Sequence, residues 1–117
     1  MSYVYRADQE LPSMAFDWLD RDGNPIDFSD GWTFALKFAA STKSGTVLAT
    51  KSSGITGSAT LPNVVVDWAD GDFDDLSPAP AGTIYSLHLV ATRTSDGKNR
   101  IFNPGNPPLL TLLPALA

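Results

Sequence analysis

The sequence predicts an all-β domain, an antiparallel β-sandwich of about seven strands with one short acidic helical turn. Three observations lead to this fold class. Large apolar residues alternate with small or polar ones along much of the chain, which is the period of a strand. Segments rich in Gly, Pro, Asn and Asp separate these runs. No segment has the length and periodicity of the crossover helices that a parallel sheet requires.

The clearest alternation lies in residues 31–40, where every second residue is large and apolar: Trp32, Phe34, Leu36 and Phe38. We expect these four side chains to face the core of the sandwich. The same test predicts six further strands, at residues 14–18, 46–51, 64–68, 83–92, 99–102 and 109–113.

Turn-forming residues connect the predicted strands. Residues 22–25 (Asp-Gly-Asn-Pro) and 43–45 (Lys-Ser-Gly) contain the residue types that tolerate positive φ or fix φ. Asp96-Gly97 lies between two extended runs, so it predicts a hairpin from strand 83–92 to strand 99–102. The one predicted helical turn covers residues 70–76, with Asp70 as its cap, and the prolines of residues 77–82 end it.

The length of the chain indicates the number of domains, and its charge excludes some classes of partner. A chain of 117 residues is expected to form one domain, divided here into an N-terminal arm (1–13), the sandwich (14–113) and a C-terminal tail (114–117). The formal charge of −5 argues against nucleic acid and membrane surfaces as partners, because both recruit clustered Lys and Arg. The start lacks the pattern of a secretory signal, so we expect synthesis in a cytoplasm.

The sequence predicts no catalytic, cofactor or metal site, and therefore not an enzyme. His88 is the only histidine and is expected half-exposed on a strand, on the face shared by Ser86 and Val90. Asp20, Asp22 and Asn24 have the spacing that opens a calcium loop, and Asp70, Asp72 and Asp74 repeat it. Both series lack the glycine and the bidentate glutamate of that loop, which leaves only a weak calcium site between loops as an alternative.

Two groups of residues are candidates for binding. The N-terminal arm carries Tyr3, Val4 and Tyr5, which we expect either to be loose or to order against a neighbouring subunit. A carbohydrate-binding module would need aromatic residues that do not follow the strand alternation, and Phe28, Phe73 and Phe102 are scattered candidates of this kind. Phe73 also joins the arm residues as a candidate partner contact.

The order of these motifs resembles the small immunoglobulin-like domains of tailed-bacteriophage structural proteins, such as the N-terminal domain of baseplate upper proteins. The matching elements are Asp20-Arg-Asp-Gly-Asn-Pro-Ile-Asp-Phe-Ser29, strand 32–38, Asn63-Val-Val-Val-Asp-Trp68, the acidic segment 70–75, Ala81-Gly-Thr-Ile-Tyr85, Asp96-Gly97 and Phe102-Asn-Pro104. The resemblance covers residues 14–113. It implies an immunoglobulin-like sandwich, and the family offers no catalytic residues to transfer.

The resemblance implies a non-enzymatic structural protein of a virion, assembled in the host cytoplasm and bound to other virion proteins, with a homo-oligomer as a further possibility. Its expected position is the tail tip or baseplate, with capsid decoration or the head–tail connector as alternatives. The alternative function is a carbohydrate-binding sandwich module that uses Trp68, Phe73 or Phe102 near a loop rim.

Overall fold

A computed structural model describes residues 2–6, 11–40, 46–69, 71–102 and 107–114, and within these ranges the chain forms nine strands and no helix. The strands are β1 (Ser2–Arg6), β2 (Met14–Phe16), β3 (Trp32–Ala40), β4 (Val47–Lys51), β5 (Ile55–Gly57), β6 (Val64–Val66), β7 (Thr83–Arg93), β8 (Asn99–Ile101) and β9 (Leu109–Leu113). None of the described residues belongs to a helix that could span a membrane.

The strands form two sheets. The large sheet has six strands in the order β1-β9-β7-β3-β4, and β8 pairs with β7 beyond the end of β9. The small sheet has three strands in the order β2-β6-β5. In an immunoglobulin-like sandwich, one sheet has the strand order G-F-C-C′ and the other contains the order B-E-D. The large sheet reproduces the first order with β9-β7-β3-β4, and the small sheet reproduces the second with β2-β6-β5. The predicted fold class is confirmed.

Two details of the predicted sandwich are corrected. All strand pairs are antiparallel except β1 and β9, which run parallel with Tyr3 opposite Leu110 and Tyr5 opposite Leu112. The first part of the predicted arm is therefore an edge strand of the large sheet, held by its own chain. Sequence alternation did not show this strand, because Tyr3, Val4 and Tyr5 are consecutive large apolar residues and give no apolar–polar period. Residues 1 and 7–10 of the arm and residues 115–117 of the tail lie outside the described residues.

The predicted helical turn is also corrected. Residues 71–75 form successive turns, with the amides of Asp72, Asp74 and Leu76 each donating to a carbonyl three residues earlier. Gly71 has φ of 90°, which a right-handed helix does not allow. Its predicted cap, Asp70, lies outside the described residues. The hairpin at Asp96-Gly97 is confirmed, since β8 pairs with β7 across it.

The core lies between the two sheets, and the alternation of the long strands supplies most of it. On β7, Tyr85, Leu87, Leu89 and Ala91 are buried, on the face opposite to the one that His88 was predicted to share with Ser86 and Val90. β5 was not predicted, because three residues that end in a glycine give no alternation. Strands 14–18 and 64–68 end earlier than predicted, at Phe16 and Val66.

Aromatic rings of the described residues form two separate clusters inside this core. The Trp68 cluster contains Tyr3, Tyr5, Phe38, Trp68 and Phe73, with neighbouring ring centroids 5.0–6.1 Å apart. The Trp32 cluster contains Phe16, Trp18, Phe28, Trp32, Phe34 and Phe102, with neighbouring centroids 5.0–5.5 Å apart. β3 joins them, because Phe38 belongs to the first cluster and Trp32 and Phe34 to the second.

Candidate functional site

The face of the large sheet that points away from the small sheet, called here the outer face, carries more than half of the exposed large apolar side chains of the described residues. Val4, Val47, Ile84 and Ile101 lie on four of its strands and are 67%, 46%, 50% and 45% exposed. Burying exposed β-branched side chains is favourable, and soluble monomers seldom leave several of them on one face. These four residues make the outer face the leading candidate for an interaction surface.

Strand register arranges the outer face in rows across the sheet. One row runs from Val4 on β1 through Thr111 on β9 to Ile84 on β7. A second row runs from Ile101 on β8 through Val90 on β7 to Ala35 on β3. Because the sheet fixes both rows, the residues of this face are ordered before a partner binds. Binding therefore loses little conformational entropy at this surface.

Charge is distributed unevenly between strands and connections. None of the strands in the described ranges contains Asp or Glu, although the chain has 13 acidic residues. Five of the eight Lys and Arg residues lie in strands of the large sheet: Arg6, Lys37, Lys51, Arg93 and Arg100. By strand register, Arg6 and Lys37 lie on the outer face, whereas Lys51, Arg93 and Arg100 lie opposite the core-facing Leu36, Trp32 and Ala91.

The centre of the outer face holds Lys37 opposite His88. His88 is half-buried on the face shared by Ser86 and Val90, as predicted. Its ring nitrogen lies 3.1 Å from the Ser86 hydroxyl, which in turn donates to the carbonyl of Ala39 at 3.4 Å. These hydrogen bonds hold the ring against the strands, so Lys37, Ser86 and His88 form a polar centre on a face that also carries Thr50 and Thr111.

The predicted partner contacts separate into two groups. Val4 is the most exposed large apolar residue of the outer face, and Tyr3 is partly buried. Tyr5 and Phe73 are buried, at 7% and 8% exposure, and both rings pack against Trp68. Their assignment as contact residues is corrected, because a partner cannot reach side chains that the core already covers.

The aromatic residues that depart from strand alternation are also buried. Phe28 and Phe102 are 2% and 4% exposed, and both contact Trp18 in the Trp32 cluster. The loops that carry them fold over the end of the sandwich and fill its core there. A loop rim built from Phe73 and Phe102 is therefore not available for a glycan.

The Asp20, Asp22 and Asn24 series, which has the spacing of a calcium loop, forms a hydrogen-bonded turn. One carboxylate oxygen of Asp20 accepts the amides of Asp22 and Asn24, at 2.9 and 3.0 Å, and so closes the loop on itself. In the described ranges no three acidic or histidine side chains lie close enough together to hold a metal ion. In the second series, Asp70 lies outside those ranges and Asp72 pairs with Lys51.

Sequence reasoning missed two buried polar residues. Asn63 is fully buried, and its side chain accepts the amide of Trp18 at 2.7 Å and donates to the carbonyls of Trp18 and Ile26 at 2.7 and 2.8 Å. Lys51 lies 2.6 Å from Asp72 and 5.4 Å from the ring centroid of Trp68. In the sequence, Asn63 looks like an ordinary turn residue, and nothing indicated its burial. Lys51 occupies a position of its strand whose side chain points to the core, and this position could have indicated that it is buried.

The chain matches no protein-family model, no curated protein and no solved structure.

Proposed function

We propose that this protein is a non-enzymatic structural component of a tailed-bacteriophage virion, which attaches to neighbouring virion proteins through the outer face. The observation that carries the proposal is the set of exposed apolar residues on that face, Val4, Val47, Ile84 and Ile101. Apolar residues of this number on one rigid surface are typical of protein contacts.

The charge pattern favours one kind of partner. Lys37 and His88 lie in the middle of the outer face, where the strands carry no acidic residue. A partner surface with apolar residues around a carboxylate would complement it, and unlike charges would also select the orientation of binding. A copy of the same face is a poor partner, because a two-fold contact through its centre would bring Lys37 toward Lys37.

The virion placement depends on the order of the turn motifs, from the Asp20–Ser29 turn to Phe102-Asn-Pro104, which resembles the phage domains. The sandwich topology is consistent with that resemblance. The tail tip or baseplate is the proposed position, with the capsid surface and the head–tail connector as alternatives. In any of these positions, repeated weak contacts add up through multivalency.

Mass spectrometry of purified particles tests the placement. The chain should be present at a fixed ratio to the major virion proteins, and its absence from intact particles would overturn the proposal.

A pair of variants tests the outer face. Ile84→Glu places a charge on the face, whereas Leu61→Glu changes a residue of similar exposure, 45%, in a turn away from it. We expect Ile84→Glu to fold but to be lost from particles, and Leu61→Glu to be incorporated normally. Equal incorporation of both variants would show that another surface makes the attachment.

A further inference from the structure

A groove opens beside the first half of β3, at the end of the sandwich opposite the Trp68 cluster. It has a volume of about 420 Å³ and lies between the start of β3, the loop that precedes it, and β5 at the edge of the small sheet. This volume is within the range of sites for small ligands, roughly 300–1,000 Å³. The groove exists because the small sheet is too short to cover the whole of β3.

Two aromatic side chains line the groove. Trp32 and Phe34 are partly exposed there, whereas Leu36 and Phe38, on the same face of the same strand, are fully buried. Phe28 packs against both rings, with centroids at 5.0 and 5.4 Å. The wall of the groove is therefore aromatic and held in place before any ligand arrives.

Arg93, at the end of β7, also holds the Trp32 ring in place. The Arg93 guanidinium lies 5.2 Å from the ring centroid of Trp32, and Arg93 also contacts Asp96. A cation over the ring adds to the attraction that holds it.

The rest of the lining is polar. Ser52 and Thr56 are exposed, and their hydroxyls have no hydrogen-bond partner among the described residues. Asp30 is also exposed, and one of its carboxylate oxygens accepts the amide of Gly31 at 2.8 Å. Hydroxyl-bearing residues and a carboxylate thus border the aromatic wall, and Asp30 is the only charged residue of the lining among those that the structure describes.

We infer that this groove binds a neutral saccharide. A pyranose ring has an apolar face of C–H groups and a rim of hydroxyls that donate and accept, so it fits an aromatic wall bordered by hydroxyls and a carboxylate. Asp30 disfavours an anionic ligand, because no cation lies among the described lining residues to balance it and the neighbouring Arg93 is paired with Asp96. The inference concerns a different surface from the outer face and does not depend on attachment to a virion.

A glycan array followed by saturation-transfer NMR tests the site. The NMR probes are gluco-, galacto- and chito-oligosaccharides of two to four units, each at about 10 mM, since millimolar affinity is expected for a few hydrogen bonds and one stacked ring. At least one neutral saccharide should give saturable transfer. The inference is overturned if neither the array nor the panel gives a signal, or if only a proline-rich control peptide binds.

Matched variants locate the binding. Ser52→Arg adds a long side chain at an exposed serine of the groove lining, and Thr50→Arg makes the same change at an exposed threonine of β4, outside the lining. We expect Ser52→Arg to weaken saccharide binding at least tenfold and Thr50→Arg to leave it unchanged. Asp30→Ala should weaken it about tenfold, the value of one lost hydrogen bond to a charged group. If Ser52→Arg and Asp30→Ala both bind as well as the unchanged chain, the saccharide site is not this groove.

Discussion

The two aromatic clusters contain similar residues, but they differ in how far the side chains of β3 are covered. In the Trp68 cluster, Phe38 is fully buried beneath Trp68 and Phe73, and the described turn 71–75 closes that end of the sandwich. In the Trp32 cluster, Trp32 and Phe34 remain partly exposed beside an open groove. The difference teaches that alternation in a strand decides which way a side chain points, whereas the opposite sheet decides whether it is covered.

The two ends also differ in the polar group that supports each cluster. The closed end contains an ion pair, Lys51 with Asp72, beside the Trp68 ring. The open end contains an amide, Asn63, which joins Trp18 to the loop at Ile26. A buried ion pair is costly to break because a charge is left behind, whereas a buried amide leaves unpaired neutral groups.

Truncation of the two phenylalanines on β3 gives the largest expected effect. Phe38→Ala should lower the free energy of unfolding by about 3–5 kcal/mol, because it leaves a cavity in a covered core. Phe34→Ala should cost only about 2 kcal/mol, since part of its ring is already in water. Urea denaturation followed by tryptophan fluorescence measures both, and equal losses would contradict the difference between the two ends.

Residues 32–38 show how far sequence reasoning reaches. The alternation correctly placed Trp32, Phe34, Leu36 and Phe38 on one face, and it predicted that all four face the core without distinguishing how far each is covered. The burial differs because β5 has only three residues and lies far from β3 in the sequence, so no local pattern records how much of β3 it covers.

Removal of the acidic partner of Lys51 tests the closed end. Asp72→Ala should cost about 3 kcal/mol, because the ammonium of Lys51 stays buried without its carboxylate. Asp74→Ala, two residues along the same turn and exposed, should change stability by less than about 0.5 kcal/mol. The double variant Lys51→Met, Asp72→Ala should be more stable than Asp72→Ala alone. If the double variant is not more stable, the unpaired ammonium of Lys51 is not the cause of the stability lost in Asp72→Ala.

The candidate site was predictable only in part. Val4 was singled out from the N-terminal segment, and it lies on the outer face. Tyr5 was grouped with it, although neighbouring residues of a strand point to opposite faces and Tyr5 is buried. The rows that bring Val4 beside Ile84 require β1 to pair with β9, a contact between the two ends of the chain.

Asn63 tests the open end. Asn63→Ala should cost about 2 kcal/mol, since the amide of Trp18 and the carbonyls of Trp18 and Ile26 lose their partner in a buried site. Asn24→Ala, at an exposed turn position, serves as the control and should have little effect. Hydrogen exchange should accelerate at the Trp18 amide and not at the β3–β7 amides. Equal acceleration at both places would mean that Asn63 supports the whole sandwich and not one end.

The smallest effect concerns Tyr5, which extends the Trp68 cluster onto β1. Its hydroxyl donates to the carbonyl of Pro12 at 2.9 Å, so Tyr5→Phe should cost about 1 kcal/mol at neutral pH. Burial raises the pKa of the Tyr5 hydroxyl above its ordinary value, so the folded state holds the proton more tightly than the unfolded state. That contribution is complete below the unfolded pKa, near 10, and is lost as the pH rises through the folded pKa.

Urea denaturation of both chains at about pH 7 and about pH 11 measures this contribution. The unchanged chain should lose more stability than Tyr5→Phe, so the gap between them should narrow at high pH. Burial also raises the pKa of Tyr85, which is present in both chains, so its effect cancels in the comparison. Burial raises the pKa of Tyr3 as well, and because the Tyr3 charge acts on Tyr5, this interaction is part of the measured narrowing. A gap that stays constant with pH would show that the Tyr5 hydroxyl is as hydrated as in the unfolded chain, and that the closed end does not extend to β1.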